Sequence, residues 1–138
     1  MGFFRKNKEK NTTEKKWKIT KNCLDLIFAC AKDSHPKEFG GLLRVDDTLK
    51  DTIIELVLLP GTISGDSHAI FKLHMMPVDF SIVGTVHSHP SPSANPSEAD
   101  LTLFRKHGKI HIISAYPYNR TSFNGFNQKG EKIKIEII

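Results

Sequence analysis

The sequence predicts a single α/β domain in which a mixed β-sheet carries two helices, and three observations lead there. With 138 residues and 38% hydrophobic content, the chain can bury one core and is short for two. Near the N-terminus, apolar residues recur at helical spacing. Beyond it come short runs rich in β-branched and aromatic residues, divided by one further helical segment.

The first helix is expected over Lys21–Asp33. Thr20 is the N-cap, Leu24, Ile27, Phe28 and Ala31 form the apolar stripe, and Ile19 and Leu24 are placed as a staple across the first turn. His35-Pro36 ends it, because proline keeps the preceding residue out of helical geometry. Four strands should follow, EFGGLLRV, TIIELVLL, AIFKLHM and FSIVGTVH, separated by turn-forming segments. The second helix is expected to start with Asn95 as N-cap, Pro96 in the first helical position and Glu98 completing a capping box, and to end at Gly108. Leu101, Leu103 and Phe104 lie on it, and KIHIISAYPY and EKIKIEII are read as the last two strands. The alternating EKIKIEII is a candidate edge, open to a homodimer partner or to an extended substrate tail.

The net charge of +5 is a property of one end. Residues 1–18 hold seven Lys/Arg against two acids, while the remainder balances thirteen against thirteen. Residues 1–18 are therefore expected to be a basic, flexible tail and residues 19–138 the folded domain, with no nucleic-acid role assigned to the tail. No apolar run is long enough to span a bilayer, and Phe3 and Phe4 are too few for a signal-peptide core, so a soluble cytoplasmic protein without membrane contact is expected. Cys23 and Cys30 fall on the first helix, where seven residues at ~1.5 Å each separate them beyond disulfide reach, so both are read as core thiols. No CxxC pair supports a thiolate metal cluster.

The chemistry is concentrated in HSHPSPSANPSEAD, residues 87–100. Strand alternation sends His87 and His89 to one face with Ser88 on the other, and helical spacing makes Ser97 and Asp100 neighbours. Two imidazoles and a carboxylate are ligands that zinc accepts, and three protein ligands leave a fourth tetrahedral position for water. Such chemistry also needs a carboxylate outside the ligand set to move a proton. Glu38, at the entry to a strand beside Gly40 and Gly41, is the leading candidate. Ser97 can equally cap its own helix. His35, His68, His74, His107 and His111 have no ligand spacing and are read as surface or core residues.

Glu38 ahead of Phe39-Gly40-Gly41-Leu42-Leu43, with His87-x-His89-Pro90, six residues, Ser97, two residues and Asp100, resembles the JAMM (MPN-plus) metalloprotease signature over about Thr20–Tyr116. The resemblance implies a cytidine-deaminase-like curved mixed sheet flanked by helices. It also implies one zinc ion on His87, His89 and Asp100, Glu38 as the base, and Ser97 as hydrogen-bond donor to the oxyanion. Members of this family cleave amide or isopeptide bonds at the C-terminus of ubiquitin-like proteins, and small prokaryotic ones act on such modifiers or on sulfur carriers. The stretch from Gly61 to Met76, where substrate-contacting insertions would lie, is short. A non-catalytic scaffold subunit and a RadC-like relative are the alternatives; scaffold members usually lack ligands that this chain keeps. A metallo-β-lactamase would want Asp and His where Ser91 and Pro92 stand, and an H-x-H barrel hydrolase needs about 250 residues.

Overall fold

In a computed structural model, which describes residues 15–58 and 79–138, the first helix, α1 (Lys21–Ser34), begins where the sequence places it. The Thr20 hydroxyl accepts the Cys23 N–H at 3.3 Å, and the helix closes one residue later than expected, with His35 as C-cap. Its buried face is Cys23, Leu24, Ile27, Phe28 and Ala31, the expected stripe together with one of the two free thiols.

The strands are β1 (Trp17–Ile19), β2 (Gly40–Val45), β3 (Thr52–Leu58), β4 (Ile82–His89), β5 (Ile110–Ala115), β6 (Phe123–Asn127), β7 (Lys132–Ile133) and β8 (Ile135–Ile137). The second helix, α2 (Glu98–Lys106), lies between β4 and β5. Among the described residues these strands form one mixed sheet in the order β7-β6-β5-β4-β2-β3-β1-β8. The expected strand AIFKLHM, with His68 and His74, falls outside the described residues.

Three expectations are corrected. The sheet begins inside the stretch assigned to the basic tail: Trp17 is 5% exposed, and β1 pairs in parallel with both β3 and β8. A three-residue strand in a lysine-rich run has too little pattern to be recognised. FNGFN forms β6 although Asn and Gly favour strands poorly, because its backbone completes the open side of β5. EKIKIEII, read as one strand, is two: β7 adds to β6 and β8 adds to β1. Those are the two ends of the strand order, and only Lys134 separates them. The sheet must therefore curl until its ends meet, and each edge is a short strand of two or three residues with few open rungs.

The period of two sorts the central strands between two helices. Val86 on β4 and Ile110 and Ile112 on β5 join the α1 core with Trp17, Leu24 and Ile27. Ile113 and Ala115 face the other way, into a second cluster with Phe104, Phe126 and Ala94. By the same alternation Thr85, His87 and His89 belong to the α2 side and Ser88 to the α1 side. Gly108, at φ +110°, ends the α2 segment in a conformation favouring glycine, and the Lys109 N–H then bonds the Val83 carbonyl at 2.7 Å, starting β5 alongside β4.

Candidate metal centre

The two histidines stand on a central strand of the sheet. β4 is paired on both sides: His87 is in register with Gly40 of β2 and with Ile113 of β5, and His89 with Ala115. Their rings share the α2 face with the two Nε2 atoms 3.2 Å apart, and His87 is 5% exposed.

The third group comes from the start of α2, which differs from expectation. The N-cap is Ser97, not Asn95, and the box is completed by Asp100, not Glu98. Ala94 is buried in the α2-side cluster and its carbonyl accepts from Asn124 Nδ2 at 3.3 Å, which ties the proline-rich loop down just before the helix. The helix starts only beyond this tether. The Ser97 hydroxyl accepts the Asp100 N–H at 3.2 Å, and Asp100 Oδ2 accepts the Ser97 N–H at 2.9 Å. This reciprocal cap has a second use. The same carboxylate lies 3.0 Å from His87 Nε2 through Oδ1 and 3.1 Å from His89 Nε2 through Oδ2. The serine and aspartate three residues apart are thus one device, a helix start that aims a carboxylate at two imidazoles.

Electrostatics follow from this crowding. Burial opposes the Asp100 charge, but hydrogen bonds from His87 and His89 and the backbone N–H of Ser97 outweigh it and hold the carboxyl well below the usual carboxylate range. The hydrogen bond to Asp100 raises the pKa of His89, against burial, with help from the Ser93 carbonyl and the charge of Glu38. His89 Nδ1 is 3.0 Å from that carbonyl, which can only accept, so Nδ1 carries a proton: the protonated ring also donates from Nε2 to Asp100, whereas the neutral ring would present the Nε2 lone pair to the cluster. His87 Nδ1 is buried with no hydrogen-bond partner among the described residues, and the Phe104 ring lies 6.4 Å from this imidazole.

One ligand atom from each of His87, His89 and Asp100 lies within 4.8 Å of the others. Imidazole lone pairs turned toward one another and toward a carboxylate repel unless a proton or a cation lies between them. The donor set therefore fits a cation, and N, N, O with an open side suits a zinc ion that keeps a solvent position.

Of the five residues singled out in the sequence, the structure brings His87, His89 and Asp100 together and attaches Ser97 through the cap. Glu38 is exposed just ahead of β2, two residues before Gly40, the register partner of His87, and its charge adds to the causes that raise the pKa of His89. Two supporting residues escaped sequence reasoning. Ser93 acts through a carbonyl, which leaves no trace in residue type. Ser88 had a signal: a polar residue between two histidines that points into the α1 core, where it is 0% exposed. The remaining described histidines stay out of the cluster. His111 is buried, and His35 is exposed with Nδ1 2.7 Å from the Tyr118 hydroxyl.

A curled mixed sheet between two helices, with this donor set at the end of its central strand, defines a JAB/MPN domain with a JAMM-type site for one zinc ion. Residues 20–125 match the family of prokaryotic homologues of the JAB domain, and the chain belongs to that family. A relative described as a probable metalloprotease, from Haloferax volcanii, is 32% identical over 127 residues, covering 87% of this chain and 78% of its own. A solved structure described as JAMM, a metalloprotease-like zinc site in the proteasome and signalosome, is 39% identical with a TM-score of 0.70, covering 89% of this chain and 98% of its own. A JAB1/MPN domain protein from Archaeoglobus fulgidus is 40% identical, also with a TM-score of 0.70, over 88% of this chain and 98% of its own.

Proposed function

We propose that the protein is a zinc-dependent peptidase or isopeptidase that hydrolyses the bond at the C-terminus of a ubiquitin-like modifier or sulfur-carrier protein. The observation that carries this reading is the convergence of His87 Nε2, His89 Nε2 and Asp100 on one point, with Glu38 exposed two residues ahead of Gly40, the register partner of His87. His87, His89 and Asp100 would hold the ion. When bound, zinc supplies Lewis acidity to water and to a substrate carbonyl.

The chain's own residues do the rest. The Glu38 carboxylate takes the proton from the attacking water and returns it to the departing amine, a lysine ε-amine where the bond is an isopeptide. The Ser97 hydroxyl accepts from the Asp100 N–H through its oxygen, so its own proton is free to be donated to the oxyanion. The paired backbone of β4 and the cap of α2 fix the ligands before substrate arrives, which spares reorganisation during the reaction.

The test pairs zinc analysis of the purified protein with cleavage of a panel of ubiquitin-like C-terminal fusions by wild type and Glu38→Gln. Stoichiometric zinc, cleavage by wild type and loss of cleavage in Glu38→Gln are expected. Full zinc with no cleavage of any fusion would favour the non-catalytic scaffold reading, and full activity in Glu38→Gln would remove Glu38 as the base.

A further inference from the structure

We propose that Ser88 is a positioning residue for Glu38, acting through the backbone of Phe39; this rests on Glu38 being the group that moves the proton. Ser88 faces away from the histidines, so it can take no part as a ligand. Its N–H donates to the Phe39 carbonyl at 2.9 Å, and its hydroxyl oxygen accepts the Phe39 N–H at 2.8 Å. The last register pair between β2 and β4 on this side is Gly40 with His87. Ser88 therefore extends the pairing by one step with a side-chain rung, beyond the point where β2 begins.

Glu38 is the residue immediately upstream of this clasp. On its other side, the Lys37 N–H bonds the Ser34 carbonyl at 2.8 Å, tying the segment to the end of α1. Glu38 is thus held between two anchors, α1 behind and Ser88 ahead, while its own side chain is exposed and free to serve the cluster. Phe39 is 1% exposed, so its N–H has no access to water and depends on the Ser88 oxygen. Burial of a serine on this face does not by itself explain the arrangement. Ser114, the register partner of Ser88 on β5, is equally buried, and its hydroxyl has no hydrogen-bond partner among the described residues.

A general base works only within about 3 Å of its proton, and a displacement of about 1 Å can lower the rate by about 100-fold. Removing the clasp should slow the proton transfer and leave zinc and substrate binding in place. The experiment uses full-length, zinc-loaded Ser88→Ala, Ser88→Thr and Glu38→Gln with a ubiquitin-like protein carrying a fluorogenic amide at its C-terminus. Exchange of the Phe39 amide is followed in parallel by NMR. For Ser88→Ala, Phe39 exchange should quicken by at least about 10-fold and kcat fall by about 10- to 100-fold, with KM and zinc content unchanged. Threonine, which keeps the acceptor oxygen, should restore both. Faster exchange with unchanged kcat, while Glu38→Gln is inactive, would overturn the role of Ser88 and leave that of Glu38 standing. Zinc lost in step with activity would overturn it too, assigning Ser88 to support of the histidines. An active Glu38→Gln would overturn the reading beneath the proposal, whatever the exchange shows. Should Ser88→Ala fail to fold, Ser88→Cys, a poorer acceptor of similar size, should give smaller changes in the same direction.

Discussion

Two histidines of neighbouring strands face the same helix and have opposite fates. His87 on β4 and His111 on β5 are both buried on the α2 side, and Phe104 approaches both rings, stacking on His111 at 4.3 Å and lying 6.4 Å from His87. His111 is complete. The Thr85 hydroxyl is 2.7 Å from its Nδ1 and the Gly108 carbonyl 3.1 Å from its Nε2, so a neutral ring with its proton on Nε2 satisfies every group. His87 is incomplete in the same terms: Nε2 meets a carboxylate and another imidazole, and Nδ1 has no hydrogen-bond partner among the described residues. A buried histidine whose nitrogens are matched by protein donors and acceptors is a core residue. One whose lone pair faces other ligand atoms is part of a site.

Breaking the His87 side of this contrast should have the largest effect. Asp100→Asn keeps an oxygen able to accept the Ser97 N–H, so the helix start survives, but it removes the charge that balances a cation. Zinc retention should fail, and activity should fall by at least about 10³-fold, since a Lewis-acid metal supplies several kcal/mol of transition-state stabilisation. Metal analysis after dialysis and fusion cleavage check this; His111→Phe in the same assays should keep its zinc.

Ser97 sharpens the contrast because it joins a structural and a chemical duty. Alanine at an N-cap costs about 0.5–2 kcal/mol, whereas glycine costs only a few tenths. If the hydroxyl serves the oxyanion, Ser97→Gly should lose about 10²- to 10³-fold in kcat while denaturation barely shifts. Activity that follows stability across Ser97→Ala, Ser97→Gly and Ser97→Thr would leave Ser97 as a cap alone.

The contrast also explains what the sequence could show. His87, His89 and Asp100 were legible because strand and helix periods place side chains by spacing alone, and their convergence needs only a loop that folds back. α1 and the core of β2 to β5 were legible for the same reason. The start of α2 was misplaced because Asn95-Pro96 and Ser97 both offer a cap, and the choice was made by a tertiary tether, Ala94 against Asn124. The curl of the sheet was hidden because β7 and β8 read as one alternating strand, and only long-range pairing divides them. That His111 is core and not surface rests on Thr85 and Gly108, partners distant in type and position from any motif.

His111 should also leave a mark on acid stability. Burial is the main cause that lowers its pKa from 6.5 to about 4. Between those values the unfolded chain holds a proton that the folded one refuses, so stability rises with pH across that window. It is fully present above pH 6.5, declines as pH falls through 6.5, and is lost by about pH 4. The contribution is about 3 kcal/mol. Urea unfolding of the zinc-free protein at a series of pH values should show that slope, and His111→Phe should flatten it. The difference between the two curves removes the contributions of His89 and Asp100, which both proteins share. Equal slopes would mean that His111 is protonated in the fold.

The smallest effect separates the ring from its partners. His111→Phe retains stacking on Phe104 but leaves the Thr85 hydroxyl and the Gly108 carbonyl without their nitrogen partners, at about 1–3 kcal/mol for a buried unsatisfied group. Adding Thr85→Val removes one orphan at nearly constant shape and should return part of that loss, since replacing both members of a buried pair can be close to neutral. Zinc content and fusion cleavage should stay at wild-type levels in the single and the double variant, because neither nitrogen of His111 takes part in the cluster. A double variant less stable than the sum of the single ones would show that the Thr85 hydroxyl finds another partner once the imidazole is gone, and that His111 is less essential to its strand pair than its two hydrogen bonds imply.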